Sequence, residues 1–131
     1  MLLLLSPTRV RFGGQEWTHV RTLTISREAS RRVVDFADAG PHAVFADAPE
    51  VLTRLEVRQE LTSTSLEAPA PGQRAVLTAQ ASAGPGNGRA VTLSADAVVL
   101  SVRVEAGGER RIELVALSAT GAADPITIEA V

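Results

Sequence analysis

From Val51 to Leu61 the chain alternates with a period of two, and that period narrows the possible folds more than any other feature. Val51, Thr53, Leu55, Val57, Gln59 and Leu61 fall on one side, and Leu52, Arg54, Glu56, Arg58 and Glu60 on the other. Strand side chains alternate between faces, whereas helical ones recur every 3.6 residues, so this run specifies a strand. The second side also alternates in sign. That keeps like charges out of neighbouring positions along the face and offers pairing to an adjacent strand of the same chemistry. Such a face reads either as an ordinary solvated surface or as one that meets an identical subunit or lines a wet channel.

A second arm, from Arg31 to Ala37, precedes it. Between the arms, Asp38 to Glu50 contains Gly40-Pro41 and Ala48-Pro49 as breakers. The expectation is a large β-hairpin with a long polar loop. Hairpin loops usually run about 2–5 residues, and longer ones more often carry function. An apolar cluster, Ala43-Val44-Phe45-Ala46, lies inside this loop. It either tucks back onto the sheet or docks on another subunit.

The rest of the chain reads as the sheet framework that carries this hairpin. Thr8–Phe12 is a short strand closed by Gly13-Gly14, a hairpin signal. Glu16 to Arg27 is rich in Thr, Val and Ile, with Trp17, Leu23 and Ile25 on one face and Thr18, Val20, Thr22 and Thr24 on the other. Glu28-Ala29-Ser30 is expected to turn the chain into Arg31. Residues 62–73 form a connection, with one helical turn placed near 64–68. Strands follow over Arg74–Ser82, over Ala90–Glu105 as one bent strand or two, and over residues 110–118. Asn87-Gly88 and Gly107-Gly108 supply turns, and a last strand covers residues 125–131. Short strands punctuated by Gly and Pro imply an all-β, mainly antiparallel fold. Two packed sheets, a β-sandwich or a barrel would hold at most one short helix and the long hairpin loop. The chain length fits a single domain, residues 1–131, with a real core.

Composition removes several function classes. Net charge is -2, without the basic excess of a nucleic-acid binder. No cysteine is present, which excludes disulfides and thiolate metal sites and suits a reducing compartment. All basic residues except the two histidines are arginine, which pairs with carboxylates in a planar, bidentate way suited to subunit contacts. Leu2–Leu5 is too short for a signal peptide and reads as a buried terminal strand or a contact with a neighbour. No stretch approaches the ~20 apolar residues of a membrane-spanning helix.

Reaction chemistry is missing from the pattern. His19 and His42 lie apart, without a partner at ligand spacing, and read as a sheet residue and an exposed loop residue. Asp35, Asp38 and Asp47 flank the loop in no calcium-binding order and read as turn-stabilising residues. Gly84-Pro85-Gly86-Asn87-Gly88-Arg89 lacks the Lys-Ser/Thr ending of a phosphate loop. No nucleophile motif occurs. The aromatics are Phe12, Trp17, Phe36 and Phe45, too few for a glycan-binding face. The expectation is a non-enzyme with no catalytic, metal or cofactor residues and no cofactor.

The pattern S-x-E-A-x-R-x-V-V-D (Ser26 to Asp35), then F-A-D-x-P (Phe45 to Pro49), then the charged alternation Arg54 to Glu60, resembles tail tube proteins of tailed phages and phage-like particles. The later strand–hairpin–strand, Val98 to Leu117, and Asp124-Pro125 fit the same resemblance. It implies two β-sheets beside a short helix, and a homo-oligomeric ring, hexameric in the family. Joined inner sheets line a channel that passes DNA without specific binding. It implies a hairpin loop that stacks each ring on the next, other tail proteins as partners, and no membrane. Localisation would be the virion tail, assembled in the host cytoplasm. The interface candidates are then Asp38, Gly40, Pro41, His42, Phe45, Asp47 and Pro49 in the loop, and Arg54, Glu56, Arg58 and Glu60 on the strand. Rival readings are another tail or baseplate component, a secretion-tube ring protein, or a non-catalytic β-sandwich binding module.

Overall fold

The computed structural model describes residues 2–5, 7–61, 69–82 and 90–130. Its strands are β1 (Leu2–Leu5), β2 (Thr8–Phe12), β3 (Gln15–Trp17), β4 (Val20–Phe36), β5 (Ala43–Glu60), β6 (Arg74–Ser82), β7 (Ala90–Glu105), β8 (Glu109–Ala116) and β9 (Thr127–Ala130). They form one antiparallel sheet in the order β1-β4-β5-β8-β7-β6-β2-β3, with β9 beside β7. The fold is therefore all-β, and no helix occurs among the described residues. The helical turn expected near 64–68 and the Asn87-Gly88 turn lie outside them.

β7 is the strand that folds the sheet over. Its first half pairs with β6 on one side and β9 on the other. From Ala97 onward it pairs with β8, and its register shifts between Val99 and Ser101. Such a bulge bends a strand and increases its twist. One long strand thus serves both halves of the sheet, and β1 comes back near β6 without pairing with it. The barrel stays open.

Both halves feed a single core. Leu23, Ile25, Leu55, Val57, Ile112 and Leu114 come from β4, β5 and β8, and Val10, Phe12, Leu77, Ala79, Leu93 and Ala95 from β2, β6 and β7. Burying a Leu, Ile, Val or Phe side chain is worth roughly 1.5–3 kcal/mol, so these alternating positions fix the register. β8 shows the period most cleanly, since Arg110, Ile112, Leu114 and Ala116 all point inward. Phe12 and Trp17 stack with ring centroids 5.2 Å apart. Gly13 turns the chain between β2 and β3 at a φ of 61°, and a Cβ there would sit 3.1 Å from that of Ala75. Left-handed backbone and close approach both demand glycine at this position.

Four expectations are corrected. Glu28-Ala29-Ser30 does not turn: β4 runs straight through it, because Leu52 and Val51 pair with Glu28 and Ala29. The hairpin loop is much shorter than residues 38–50, for Phe36 pairs with Ala43 and only residues 37–42 lie between the two strands. Pro49 does not break β5. The ladder shifts register between the pairs Arg31–Glu50 and Val33–Asp47, so Ala48 and Pro49 occupy a bulge where no N–H is needed. The strand expected from Glu16 to Arg27 is also interrupted. His19 takes a φ of 57°, a left-handed conformation that costs a non-glycine residue roughly 1–2 kcal/mol. A further shift between Val20 and Thr22 turns Val20 into the core rather than to the face of Thr22 and Thr24.

Candidate functional site

The β4–β5 hairpin is one continuous ladder with two environments. Near the body, β4 residues 22–25 are flanked by β1, and β5 residues 54–60 by β8. Beyond those partners the two strands continue alone. Residues 31–36 and 43–50 form a two-stranded ribbon with no third strand, and every residue from Val34 to Val51 is exposed. At about 3.3 Å per residue the free pairing from Ala29 to Phe36 extends roughly 25 Å. The ribbon is not polar. Phe36 is 63% exposed, Val44 67% and Phe45 52%, and Val34 and Val51 are also open to solvent. A shallow hollow on one face is lined by Ala29, Arg32, Val34, Ala46, Asp47 and Ala48.

The sequence-derived candidates fall into two groups. Asp38, Gly40, Pro41 and His42 occupy the tip, while Phe45, Asp47 and Pro49 lie along the ribbon's β5 arm. Asp47 accepts a hydrogen bond from the backbone N–H of Ala48 at 2.8 Å, which fixes the bulge. Arg54, Glu56, Arg58 and Glu60 are not on the ribbon. They sit on the outward face of the body, where β5 runs between β4 and β8.

That outward face is organised in a way the sequence does not disclose. Across β5 and β8, Glu60 stands opposite Glu109, Arg58 opposite Arg111, and Glu56 opposite Glu113. On the far side of β8, Glu105 stands opposite Glu109 and Arg103 opposite Arg111. Like charges therefore line up in stripes across the strands. The expected pairing between directly opposed residues does not occur, because the register sets like against like. Opposed like charges are destabilising. The compensation runs along and diagonally between strands: Arg58–Glu56 at 2.9 Å, Arg111–Glu105 at 3.2 Å, and Arg103–Glu113 at 3.8 Å. Arg21 ties β4 into the first stripe, 3.3 Å from Glu60 and 3.8 Å from Glu109. The hydrogen bond to Glu56 pushes Arg58 above the ordinary guanidinium value. Exposed pairs of this kind contribute about 0–1 kcal/mol each, so the stripes shape the surface more than they hold the fold.

A polar plug closes the core beneath this face. Gln59 and Arg110 are opposed residues on the inward side of β5 and β8, and both are buried. Arg110 donates to Gln59 Oε1 through Nε at 3.1 Å and Nη2 at 2.5 Å. Gln59 Nε2 donates in turn to the Thr18 carbonyl at 2.7 Å, and the Glu60 N–H donates to the His19 carbonyl at 3.0 Å. The left-handed kink at His19 is thus clamped from β5. Desolvation pushes Arg110 below the ordinary guanidinium value. The alternation of β5 puts Gln59 on the same side as Leu55 and Val57, but nothing in the sequence marks Arg110, which sits in an Arg-Arg pair of which only one member points inward.

Two concavities lie outside the ribbon. One, about 550 Å³, runs beside the ribbon base between Val51, Leu52 and the loop before β9. Arg27 closes its rim by donating to both oxygens of Asp124, at 2.8 and 2.7 Å. The second, about 430 Å³, lies over β2, β6 and β7, lined by Arg9, Arg11, Glu16, Thr78, Gln80 and Thr92 among others. Arg9 has a φ of 51°, and the ladder between β2 and β6 shifts register between Thr8 and Arg11. The extra residue sits in β2, and both arginines border the groove.

Among the described residues no three His, Cys, Asp or Glu side chains come together as a metal site. The described residues offer shape, exposed apolar contact and charge. No protein-family model matches the chain, and neither does any curated protein.

Proposed function

We propose that this protein is a structural subunit that assembles with copies of itself, as the tail tube subunit of a phage or phage-like particle. The observation that carries this reading is the ribbon. A two-stranded hairpin alone is marginal in water. This one continues roughly 25 Å beyond its flanking strands while presenting Phe36, Val44 and Phe45 to solvent. Covering such side chains is worth roughly 1.5–3 kcal/mol each, which favours a state in which another surface takes them up. The ribbon also has open backbone edges on both strands, a liability that pairing or covering removes. The sequence patterns that resemble tail tube proteins map onto this same element, from Ser26 to Asp35 and from Phe45 to Pro49.

In this role the body supplies the wall of a ring, and the ribbon reaches the adjoining ring. Rotation about the ring axis closes the contacts within a layer, and repetition along the axis propagates them. The outward stripes carry arginine and glutamate in near balance, so a channel lined by them would pass DNA without the counterion-releasing contacts of a binding surface. The partners are then copies of the same chain and other tail proteins, in a virion tail assembled in the host cytoplasm.

The test replaces residues 30–50 with Asn-Gly, joining the paired residues Ala29 and Val51 by a two-residue turn. The parent chain should form tubes or stacked rings in negative-stain microscopy, and the shortened chain should keep its strand spectrum without stacking. Tubes of normal length from the shortened chain would refute the proposal. Isolated rings from the parent would point instead to a tail-end or secretion-tube ring component.

A further inference from the structure

Charge is unevenly distributed between the outer part of the ribbon and the rest of the chain. From Val33 to Thr53 there are four carboxylates, Asp35, Asp38, Asp47 and Glu50, and no arginine. The whole chain carries 13 arginines and 15 acids, so the remainder has 13 arginines against 11 acids. The outer ribbon beyond Arg31 and Arg32 is at -4 and the rest, those two arginines included, at +2, which sum to the net -2. The acidic segment is also the one that exposes Phe36, Val44 and Phe45.

The body has a groove of matching character. Ion pairs engage Arg21, Arg27, Arg54, Arg58, Arg74, Arg103 and Arg111. Among the described residues Arg9, Arg11, Arg31 and Arg32 take part in none; Arg31 and Arg32 lie at the ribbon base, while Arg9 and Arg11 border the groove over β2 and β6. Glu16, opposite Arg11 in the β2–β3 ladder, makes no ion pair with it. Thr78, Gln80 and Thr92 add hydrogen-bonding groups to the same floor. At about 430 Å³ the groove has room for a few side chains rather than a domain. Neither surface covers the other within one copy, since Arg9, Arg11 and all residues from Val34 to Val51 are exposed.

We propose that the ribbon tip of one copy, through Asp35, Asp38 and the apolar side chains beside them, docks in the Arg9–Arg11 groove of the next copy. This rests on the assembly reading above and deepens it by naming the receiving surface. Two different patches meet, so the contact is head-to-tail and repeats from copy to copy. Opposite potentials steer the encounter and fix which end meets which, while the apolar side chains slow release. The two arginines form planar, forked donors suited to carboxylates. A head-to-tail contact of this kind weakens as salt screens it.

The experiment is a charge exchange in the full chain. R9E/R11E and D35R/D38R change only exposed residues, and circular dichroism with thermal melting establishes that both variants fold. Each alone should associate roughly a hundredfold more weakly than the parent by light scattering, because like charges then face each other. An equimolar mixture should recover assembly, since the acidic groove of one accepts the basic ribbon of the other, and the unaltered surfaces match as well. The chain carrying all four substitutions should also assemble. Normal assembly by either double variant alone would overturn the inference, as would a mixture no better than its components. Inorganic phosphate that binds the groove without inhibiting assembly would overturn it too, by marking the groove as a small-anion site. A parent chain that never associates would instead defeat the underlying assembly reading, so the two failures are distinguishable.

Discussion

The two ends of the β4–β5 hairpin share a ladder and almost nothing else. At the body end Leu23, Ile25, Leu55 and Val57 point into the core, and β1 and β8 complete the sheet on either side. At the far end the same two strands pair with each other alone, and their large apolar side chains face solvent. Backbone hydrogen bonding is common to both ends, so it does not explain why one is fixed in a core. The difference lies in burial and neighbours. A strand pair becomes structure by what covers it. The hairpin therefore has one part that is held by the core and by flanking strands, and another that no third strand or core covers.

Substitution at the body end should give the largest effects. Leu55→Ala removes a side chain with 0% exposure and should cost about 2–5 kcal/mol in urea unfolding. Phe45→Ala, a larger truncation on the same strand, should change monomer stability by no more than about 0.5 kcal/mol while impairing assembly. Equal costs at the two sites would erase the division. Next in size is Gln59→Leu, which strips the Arg110 guanidinium and the Thr18 carbonyl of a partner. Losing hydrogen bonds to a buried charged group costs roughly 1.5–3 kcal/mol, so this variant should melt below the parent despite its greater hydrophobicity. A neutral result would mean that the plug does not hold the His19 kink.

The smallest effects should come from the surface pairs. Arg74 lowers the pKa of Asp96, and Arg27 lowers that of Asp124, from the ordinary 3.8. A carboxyl whose folded pKa is depressed adds stability above the unfolded value and loses it as pH falls through the folded one. Acid titration of Asp96→Asn and Asp124→Asn should therefore match the parent at the lowest pH and fall slightly behind it above pH 3.8. Solvent screening keeps the gap small. A gap that widened toward acid would reverse the assigned sign.

Much of the fold is legible because its signals are local. Gly13-Gly14 and Gly107-Gly108 mark real turns, and Arg74–Ser82 and Ala90–Glu105 are strands over the expected bounds. Alternation put Val51, Thr53, Leu55, Val57, Gln59 and Leu61 on one side; the middle four are buried, Leu61 is half-buried, and Val51 is exposed where the ribbon leaves the body. What escapes is set by partners. Nothing in Glu28-Ala29-Ser30 reveals that β5 will pair alongside it. Pro49 reads as a breaker until a bulge removes the need for its N–H. The stripes of like charge depend on the register between β5 and β8, a quantity no single strand encodes. The candidate site divides in the same manner. Phe45 and the loop residues are recognisable as an apolar cluster among breakers, but that they lie along an extended ribbon follows only from the pairing of Phe36 with Ala43. Arg9 and Arg11 leave no sequence trace as a pair without partners.

Amide hydrogen exchange along β5, before and after assembly, addresses the central division directly. In dilute monomer, amides between Val44 and Asp47 should exchange orders of magnitude faster than those between Leu55 and Gln59, and on assembly the first group should slow toward the second. Ribbon amides already protected in the monomer, or unchanged in the assembled state, would contradict the account.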